Sequence, residues 1–145
     1  MIALLQRVVG ASIDVAGQRV ASIGPGLLVL VAVRPADDEA SALRLITRLL
    51  QYRVFADAAD KMNLSLTQTQ GDLLLVPQFT LAADTGRGLR PGFSTAAPPE
   101  QGRYLFDALV QAARQQHPRV ETGVFGAHMR VSLTNDGPVT FWLES

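Results

Sequence analysis

The alternation of apolar and polar residues predicts that the chain opens with strands. Residues 2–9 form an apolar run, and residues 12–15 and 19–23 alternate on either side of Ala16-Gly17, which is a hairpin signal. Residues 27–33 follow a Gly-Pro-Gly segment and are continuously apolar, as in a strand buried on both faces. The pattern therefore predicts a hairpin followed by a buried strand.

Two later segments have the spacing of helices. Acidic residues from Asp37 to Glu39 supply an N-cap and first-turn charges, and apolar residues then recur every three or four positions, so residues 38–51 are predicted to be a helix. A second helix is predicted to start at Pro98-Pro99-Glu100 and to end near His117-Pro118.

Between these helices the pattern predicts short strands and one long loop. Residues 53–55, 64–66 and 73–76 are predicted strands, the second only weakly paired. Pro77 ends the third because proline cannot donate to a sheet ladder. Residues 82–97 lack periodicity, and long ordered loops of this kind are often functional.

Three apolar segments near the end of the chain predict strands over residues 120–124, 129–133 and 139–143. Asn135-Asp136-Gly137-Pro138 separates the last two, and because Asn, Asp and Gly tolerate positive φ, a hairpin turn is the first interpretation. The alternative is a ligand site, since glycine allows close approach of the backbone and Thr140 adds a hydroxyl.

Together these elements predict an α+β fold. Strands with two main helices inserted among them favour a curved, mainly antiparallel, barrel-like sheet on which the helices pack. A length of 145 residues suits one domain spanning residues 1–145.

Composition narrows the classes of function. With 13 basic and 13 acidic residues the net charge is zero, so no global positive field attracts nucleic acid, and RNA would have to bind through local arginines or shape. Cysteine is absent, and His117 and His128 lie apart without ligand spacing, so we expect no metal and no cofactor. Without a leader sequence or a membrane-length apolar run, the chain is expected to be soluble and cytoplasmic.

Candidate chemistry begins at Gln78-Phe79-Thr80, directly after Pro77. This segment is either an exposed strand end or a positioned hydroxyl beside an amide. A threonine nucleophile needs an activating base, and none is evident, so a Ser/Thr-His-Asp triad cannot be argued.

Further candidates have two interpretations each. Phe125 and Met129 are either core residues or pocket lining. Arg7 interrupts an apolar strand and is either solvated or buried with a partner. Arg87 and Arg90, in the long loop, are either solvated charges or phosphate contacts.

Taken in order, these segments resemble the D-aminoacyl-tRNA deacylase family along the whole chain. The matching pieces are MIALLQRV, GPGLLVLVAV, YRVFAD, KMNLS, QFTLAADT, RGLRPGFS, TGVFGAHMRVSL and NDGPVTFWLE. The most specific are Q-F-T and N-x-G-P-x-T, which in the family face one another across a homodimer interface.

The resemblance implies an esterase that cleaves a D-amino acid from the terminal ribose of tRNA. Gly137-Pro138 of one subunit would reach into the pocket of the other, and in the family this Gly-Pro bond is cis. L-amino acids would be rejected because their side chains collide with main-chain atoms. Glycine has no Cβ, so glycine mischarged on alanine tRNA should also be cleaved.

The implied mechanism uses the 2′-hydroxyl of the substrate to help activate water, while the protein supplies positioning and backbone N–H groups. The implied catalytic residues are Gln78, Phe79 and Thr80, with the N–H of Phe79 as a donor. The implied substrate-binding residues are Arg7, Pro77, Phe125, Met129, Asn135, Gly137, Pro138 and Thr140, of which Arg7 would brace the interface.

Two positions depart from the family pattern. Pro77 stands where serine is usual, and Gly92 replaces the serine of a Pro-Ser-Phe segment. An animal group that acts on L-alanine mischarged to threonine tRNA resembles this chain in having Pro-Gln there, but Phe79 and NDGPVT side with the D-specific group. The alternatives are relaxed chirality towards L-Ala-tRNA and an inactive module that binds RNA ends.

Overall fold

Three helices pack on a nearly closed, barrel-like mixed sheet in the part of the chain that the structure describes, residues 1–86 and 88–145. The structure is a computed structural model. Its helices are α1 (Glu39–Gln51), α2 (Leu66–Thr69) and α3 (Pro99–Gln116), and Phe79–Ala82 form a 3₁₀ turn. Its strands are β1 (Ile2–Val15), β2 (Gln18–Ile23), β3 (Gly26–Ala32), β4 (Phe55–Ala56), β5 (Met62–Leu64), β6 (Asp72–Pro77), β7 (Val120–Thr122) and β8 (Met129–Glu144). Among the described residues, no helix is long and apolar enough to cross a membrane.

The sheet is organised around β1. Along one edge of β1, β3 pairs with residues 2–8 and β2 with residues 11–15, both antiparallel. Along the other edge, β8 runs antiparallel over the full length of β1, from Met129 opposite Val15 to Glu144 opposite Ile2. Beyond β3 the sheet becomes parallel, because β6 pairs parallel with β3 and β7 parallel with β6.

Strand β3 is buried on both faces, as its continuous apolar sequence predicts. Leu27, Val29 and Val31 face a core formed with helices α1 and α3. Leu28 faces a second core, formed with β6 and the β1–β2 hairpin. Apolar residues on both faces of one strand require a layer on each side, which the helices and the curled hairpin provide.

Both main helices lie where the sequence predicts them. Asp38 caps α1, since its Oδ1 accepts from the Ser41 backbone N–H at 2.7 Å, and Ser41 completes a capping box. Helix α3 begins at Pro99, whose fixed φ suits the first helical position, and ends before His117. The hairpin at Ala16-Gly17 is also confirmed, with φ of 50° and 81°.

The prediction of a hairpin turn at Asn135–Pro138 is wrong. Residues 129–144 form the single strand β8, and the four turn-like residues lie within it as a bulge. Thr140 is opposite Gln6 and Asn135 opposite Val8, so five steps along β8 match two along β1. The turn signal is overridden because β1 offers a pairing partner on both sides of the segment.

Two shorter predictions also need correction. The strand predicted at 53–55 is β4 at Phe55–Ala56, and its partner is β5 at Met62–Leu64, which starts two residues before the strand predicted at 64–66. Leu66 is the first residue of helix α2 and not part of a strand. The reason is a second capping box, in which the Ser65 hydroxyl accepts from the Gln68 N–H at 3.4 Å.

Candidate active site

An apolar cavity lies where the parallel strands β3 and β6 end. Its volume is about 220 Å³. The lining residues are Val31, Ala32, Val33, Pro77, Gln78, Phe79, Ala97, Pro99, Gly102, Phe125 and Gly126. Among these described lining residues none is ionisable, so the cavity supplies neither a general acid nor a general base from a side chain.

The predicted catalytic segment forms one wall of this cavity. The Gln78 N–H donates to Val31 O at 2.7 Å, which extends the β3–β6 pairing by one step past Pro77. The chain then enters the 3₁₀ turn, and the Gln78 side-chain amide donates to Thr80 Oγ1 at 2.5 Å. Among the described residues, the backbone N–H groups of Phe79 and Thr80 have no protein acceptor. Two free donors beside a polar pair are suited to an anionic oxygen.

Phe125 also lines the cavity. Its ring packs on Phe106 of α3, with centroids 6.4 Å apart, and the Arg103 guanidinium lies 4.9 Å above it. Gly102 makes this approach possible, because a Cβ there would lie 3.3 Å from the Phe125 ring. Helix α3 thus sets the width of the cavity through a residue without a side chain.

The bulge in β8 carries the second predicted motif. Gly137 has φ of 147°, and a Cβ there would lie 2.7 Å from the Val139 nitrogen, so the position requires glycine. The Gly137-Pro138 peptide bond is cis. Both residues are exposed, as is Thr140. Asn135 holds the bulge together, donating to Thr140 Oγ1 at 3.0 Å and accepting from the Val139 N–H at 2.7 Å.

Arg7 ties this bulge to the rest of the domain. Its Nη1 donates to Val54 O at 2.6 Å and its Nε to Asp136 O at 3.0 Å. The Asp136 carboxylate lies 3.3 Å from Nε, and the Arg7 side chain is only 15% exposed. Of the two interpretations of Arg7, the structure supports a largely buried arginine with partners.

Comparisons with known proteins show which family the chain belongs to. A family model described as D-Tyr-tRNA(Tyr) deacylase matches residues 4–144. The chain belongs to this deacylase family. A D-aminoacyl-tRNA deacylase from Azotobacter vinelandii is 63% identical over 145 residues, covering 100% of both chains, and one from Ectopseudomonas mendocina is 62% identical, covering 97% of each. The solved structure of a c-Myc DNA unwinding element binding protein has a TM-score of 0.96 at 35% identity, covering 100% of this chain and 99% of the other.

In this member of the deacylase family, the predicted site residues fall into two groups. Pro77, Gln78, Phe79 and Phe125 line the cavity, and Thr80 follows directly. Arg7, Asn135, Gly137, Pro138 and Thr140 gather at the bulge. The end of the bulge that is nearer to the cavity, Thr140, pairs with Gln6 of β1. Gln6 is four residues along β1 from Ile2, which pairs with Ala32 of the cavity wall, so the bulge and the cavity are separated by roughly 13 Å. The structure does not bring the two groups together within one chain.

Met129 belongs to neither group. It packs against the second core, and its sulfur accepts from the Val124 N–H at 3.3 Å. Its neighbours include Gly123, where a Cβ would lie 2.8 Å from the sulfur. The core interpretation therefore fits Met129, whereas the pocket interpretation fits Phe125.

Some residues around the deacylase-family cavity were not predicted from the sequence. Two of them are Gly102 and Arg103 of α3. Gly102 could have been identified from the sequence, because it is an isolated glycine inside an amphipathic helix. Phe93 is a third, since its ring lies 5.2 Å from that of Phe79. Arg90 is exposed, and Arg87 lies outside the described residues.

Pro77 and Gly92, where the family resemblance leads us to expect serine, both contact neighbouring parts of the fold. Pro77 pairs with Val31 at the last step of β6 and lines the cavity without offering an N–H. Gly92 exchanges two backbone hydrogen bonds with Asp84, at 2.8 and 2.9 Å, and so closes the loop that carries Phe93.

Proposed function

We propose that this chain hydrolyses the ester between a D-amino acid and the terminal ribose of tRNA, as a homodimer with Gly137-Pro138 of each subunit at the cavity of the other. Membership of the family, with curated relatives of the same name 58–63% identical over nearly the whole chain, makes it an ester hydrolase of the D-aminoacyl-tRNA deacylase type. Charged tRNA as the substrate also implies the cytoplasm as its compartment.

The observation that carries the proposed mechanism is the pair of N–H groups at Phe79 and Thr80, which have no acceptor in the part of the chain that the structure describes, beside a cavity whose described lining residues are not ionisable. These donors would stabilise the oxyanion that forms when water attacks the ester. Gln78 and Thr80, already hydrogen-bonded to each other, would position the ribose. The 2′-hydroxyl of the ribose would help to activate the water, because the described residues of the cavity lining include no base.

A dimer is supported by two features of the sheet. Among the described strands, β8 pairs only with β1, so its outer edge is free over a strand of 16 residues. On the sheet face away from the helices, Leu4 lies opposite both Leu30 and Trp142, and Trp142 is 50% exposed. A second copy would cover this apolar face, and in a two-fold dimer the same face of each subunit would form the interface.

The exposed bulge supports the exchange of Gly137-Pro138 between subunits. It is braced by Arg7 and Asn135, lies roughly 13 Å from its own cavity and faces solvent. A rigid main-chain element placed at a neighbouring cavity would exclude an L side chain by collision, while a D side chain points elsewhere. Glycine would pass this test, so Gly-tRNA, including glycine on alanine tRNA, is a proposed second substrate.

Pro77 favours a second candidate function, deacylation with relaxed chirality towards L-Ala-tRNA. Proline removes both a hydroxyl and an N–H from the cavity wall relative to serine, and its loss of polar contacts could loosen substrate selection. A binding module without activity is the non-enzymatic alternative.

A chirality assay separates these proposals. Purified protein is incubated with D-Tyr-tRNA, L-Tyr-tRNA, Gly-tRNA and L-Ala-tRNA, and ester loss is followed against buffer alone. We expect rapid loss of D-Tyr and Gly, and background rates for both L-substrates. Cleavage of L-Ala-tRNA at a rate comparable to that of D-Tyr-tRNA would favour relaxed chirality. Background rates with all four substrates would favour a binding module without activity.

A further inference from the structure

A second, polar cleft lies on strands β1, β2 and β8. Its volume is about 300 Å³. The lining residues are Gly10, Ala11, Ser12, Arg19, Ser22, Ile23, Ser132, Leu133 and Thr134. Four of them carry hydroxyl groups, so we call it the hydroxyl cleft. Among these described lining residues Arg19 alone is charged.

Strand register brings the hydroxyl groups together. Ser12 of β1 is directly opposite Ser22 of β2 and Ser132 of β8. Residues directly opposite one another in antiparallel strands point to the same face, with Cβ atoms roughly 5 Å apart. Thr134 is opposite Gly10, two residues before Ser12, and therefore points to that face as well.

These hydroxyl groups have no hydrogen-bond partner in the part of the chain that the structure describes. The side-chain hydrogen bonds at the cleft are those from Arg19 to Asp14, at 2.6 and 3.5 Å. Ser12 is only 9% exposed, yet it lines the cleft. A hydroxyl group that is largely shielded from water gains most from a ligand that accepts its hydrogen bond.

The charges beside the hydroxyl groups favour an anionic ligand. Asp14 is opposite both Arg19 and Arg130, so two cations flank one carboxylate. Arg19 uses two of the five N–H donors of a guanidinium on Asp14 and keeps the others for a ligand. Arginine, serine and threonine are among the side chains that donate to phosphate oxygens in nucleic-acid complexes.

The hydroxyl cleft lies next to the β8 bulge. Thr134 directly precedes Asn135, and Ser132 is three residues from Asn135, roughly 10 Å along the strand. In the proposed dimer this bulge sits at the cavity of the opposite subunit, so the cleft of one chain flanks the ester-binding cavity of the other. The nucleotides that precede the esterified one leave that cavity with one phosphate each.

We propose that the hydroxyl cleft binds a backbone phosphate of the RNA substrate whose ester is held at the cavity of the opposite subunit. Ser12 and Ser132 donate to the phosphate oxygens, and Arg19 supplies the positive charge. This RNA-binding subsite lies outside the apolar cavity and rests on the proposed function and its dimer. Free phosphate and a second copy of the chain are the competing occupants.

The first test measures binding of an uncharged RNA hairpin with a single-stranded 3′ end, so it needs no catalysis. Arg19→Gln should raise Kd about tenfold. It should also reduce the slope of log Kd against log salt by about 0.7, the value for one phosphate contact on a single strand. Ser12→Ala should raise Kd about threefold without changing the slope, because serine is uncharged. Arg114→Gln, which removes an exposed cation from helix α3, is the control and should keep the parent Kd and slope.

A double variant controls for net charge. Arg19→Gln/Asp14→Asn removes both members of the ion pair and leaves the net charge unchanged. We expect it to bind the hairpin as weakly as Arg19→Gln. Binding like that of the parent would overturn the proposal, because the effect of Arg19 would then be one of net charge. A change of oligomeric state in Arg19→Gln, measured by sedimentation, would overturn it in favour of contact between copies.

Inorganic phosphate distinguishes a free anion from the RNA backbone. It is titrated into the parent and into Arg19→Gln in a calorimeter at constant ionic strength. Saturable phosphate binding that is lost in Arg19→Gln, with RNA binding unchanged, would assign the cleft to a free anion and overturn the proposal.

Hydrolysis tests which subunit the hydroxyl cleft serves. Arg19→Gln should raise KM about tenfold for D-Tyr-tRNA but not for D-tyrosyl-adenosine, which has no phosphate, with kcat nearly unchanged for both. In mixed dimers of Thr80→Ala and Gly137→Ala chains, the intact site combines the cavity of the second chain with the bulge of the first. Arg19→Gln should therefore raise KM only on the Thr80→Ala chain. An increase only on the Gly137→Ala chain, or no restored activity, would refute the assignment to the opposite subunit.

The two proposals fail separately. If the parent does not hydrolyse D-Tyr-tRNA but binds the hairpin through Arg19 and Ser12, the cleft survives and the deacylase function does not. If the parent hydrolyses D-Tyr-tRNA and all variants bind the hairpin equally, the cleft is wrong and the deacylase function stands.

Discussion

Asn135 and Val139 hold the ends of the β8 bulge together with two reciprocal hydrogen bonds. The Val139 N–H donates to Asn135 Oδ1 at 2.7 Å, and Asn135 Nδ2 donates back to Val139 O at 3.2 Å. Gly137 and Pro138 lie between them, so a single amide side chain closes the loop that presents the Gly-Pro peptide.

Asn135→Ala should therefore loosen the bulge. We expect a loss of about 1–2 kcal/mol in unfolding free energy, since a half-buried pair of hydrogen bonds disappears. We expect kcat/KM on D-Tyr-tRNA to fall about 10- to 100-fold, because misplacement of the Gly-Pro peptide affects geometry at the site. Asn135→Asp keeps the acceptor for the Val139 N–H and should lose less. Equal activity of Asn135→Ala and the parent would show that the bulge needs no such closure.

Exchange of the bulge between subunits predicts complementation. Thr80→Ala and Gly137→Ala are each expected to be impaired, one at the cavity and the other at the bulge. In a mixed dimer, one site combines both changes, and the other is intact only if each site uses the bulge of the opposite subunit. Random mixing should thus restore about a quarter of the parent sites.

The measurement is the D-Tyr-tRNA hydrolysis rate after the two variants are unfolded and refolded together. Each variant refolded alone is the control. If the mixture shows only the average of the two separate rates, the bulge serves its own subunit or neither.

Gly102→Ala tests how α3 shapes the cavity. Alanine favours a helix interior by about 1 kcal/mol over glycine, so a surface position would gain stability. Here the new Cβ would lie 3.3 Å from the Phe125 ring, and the ring must move. We expect KM for D-Tyr-tRNA to rise a few-fold without the gain in unfolding free energy. Increased stability with unchanged KM would mean that the Phe125 ring can move without affecting substrate binding.

Pro77→Ser introduces the serine that the family resemblance leads us to expect at this position. Because the backbone donors without a described protein acceptor belong to Phe79 and Thr80, we expect hydrolysis of D-Tyr-tRNA to change by less than about tenfold. Rates on D-Tyr-tRNA and L-Ala-tRNA are compared for the two proteins. An increase of orders of magnitude would identify Pro77 as the mark of a weakened or redirected enzyme.

Asp38 makes stability depend on pH. Hydrogen bonds from the side chain and then the backbone of Ser41 lower the pKa of the Asp38 carboxyl below its ordinary value. A carboxyl with a lowered folded-state pKa stabilises the fold above its unfolded pKa, and this contribution is lost as pH falls through the folded value. Asp38→Ala should therefore lower the thermal unfolding midpoint at pH 7, and the difference from the parent should shrink in acid, below pH ~4.

Asp38→Ser is the control, since serine caps a helix without titrating. Its midpoint at pH 7 should stay near that of the parent, with a smaller dependence on acid pH. A constant gap between the parent and Asp38→Ala from pH 7 into acid would show that the charge of Asp38 contributes nothing.

The sequence by itself determines the elements whose signals are local. Helix α1 follows from the Asp38 cap and its apolar spacing, and β3 from an apolar run long enough to need cover on both faces. The sequence predicts that the Q-F-T segment follows a strand ended by Pro77, and the segment lies at the end of β6 beside a cavity.

Only the tertiary structure decides what depends on partners distant in sequence. Asn135–Pro138 has the local chemistry of a turn, but pairing with β1 on both sides makes it a bulge within one strand. Phe125 lines the cavity, because Gly102 of α3 leaves room for its ring. Met129 packs elsewhere, because Gly123 leaves room for its sulfur. The separation of the Gly-Pro peptide from the cavity of its own chain also follows from strand register, which no local pattern encodes.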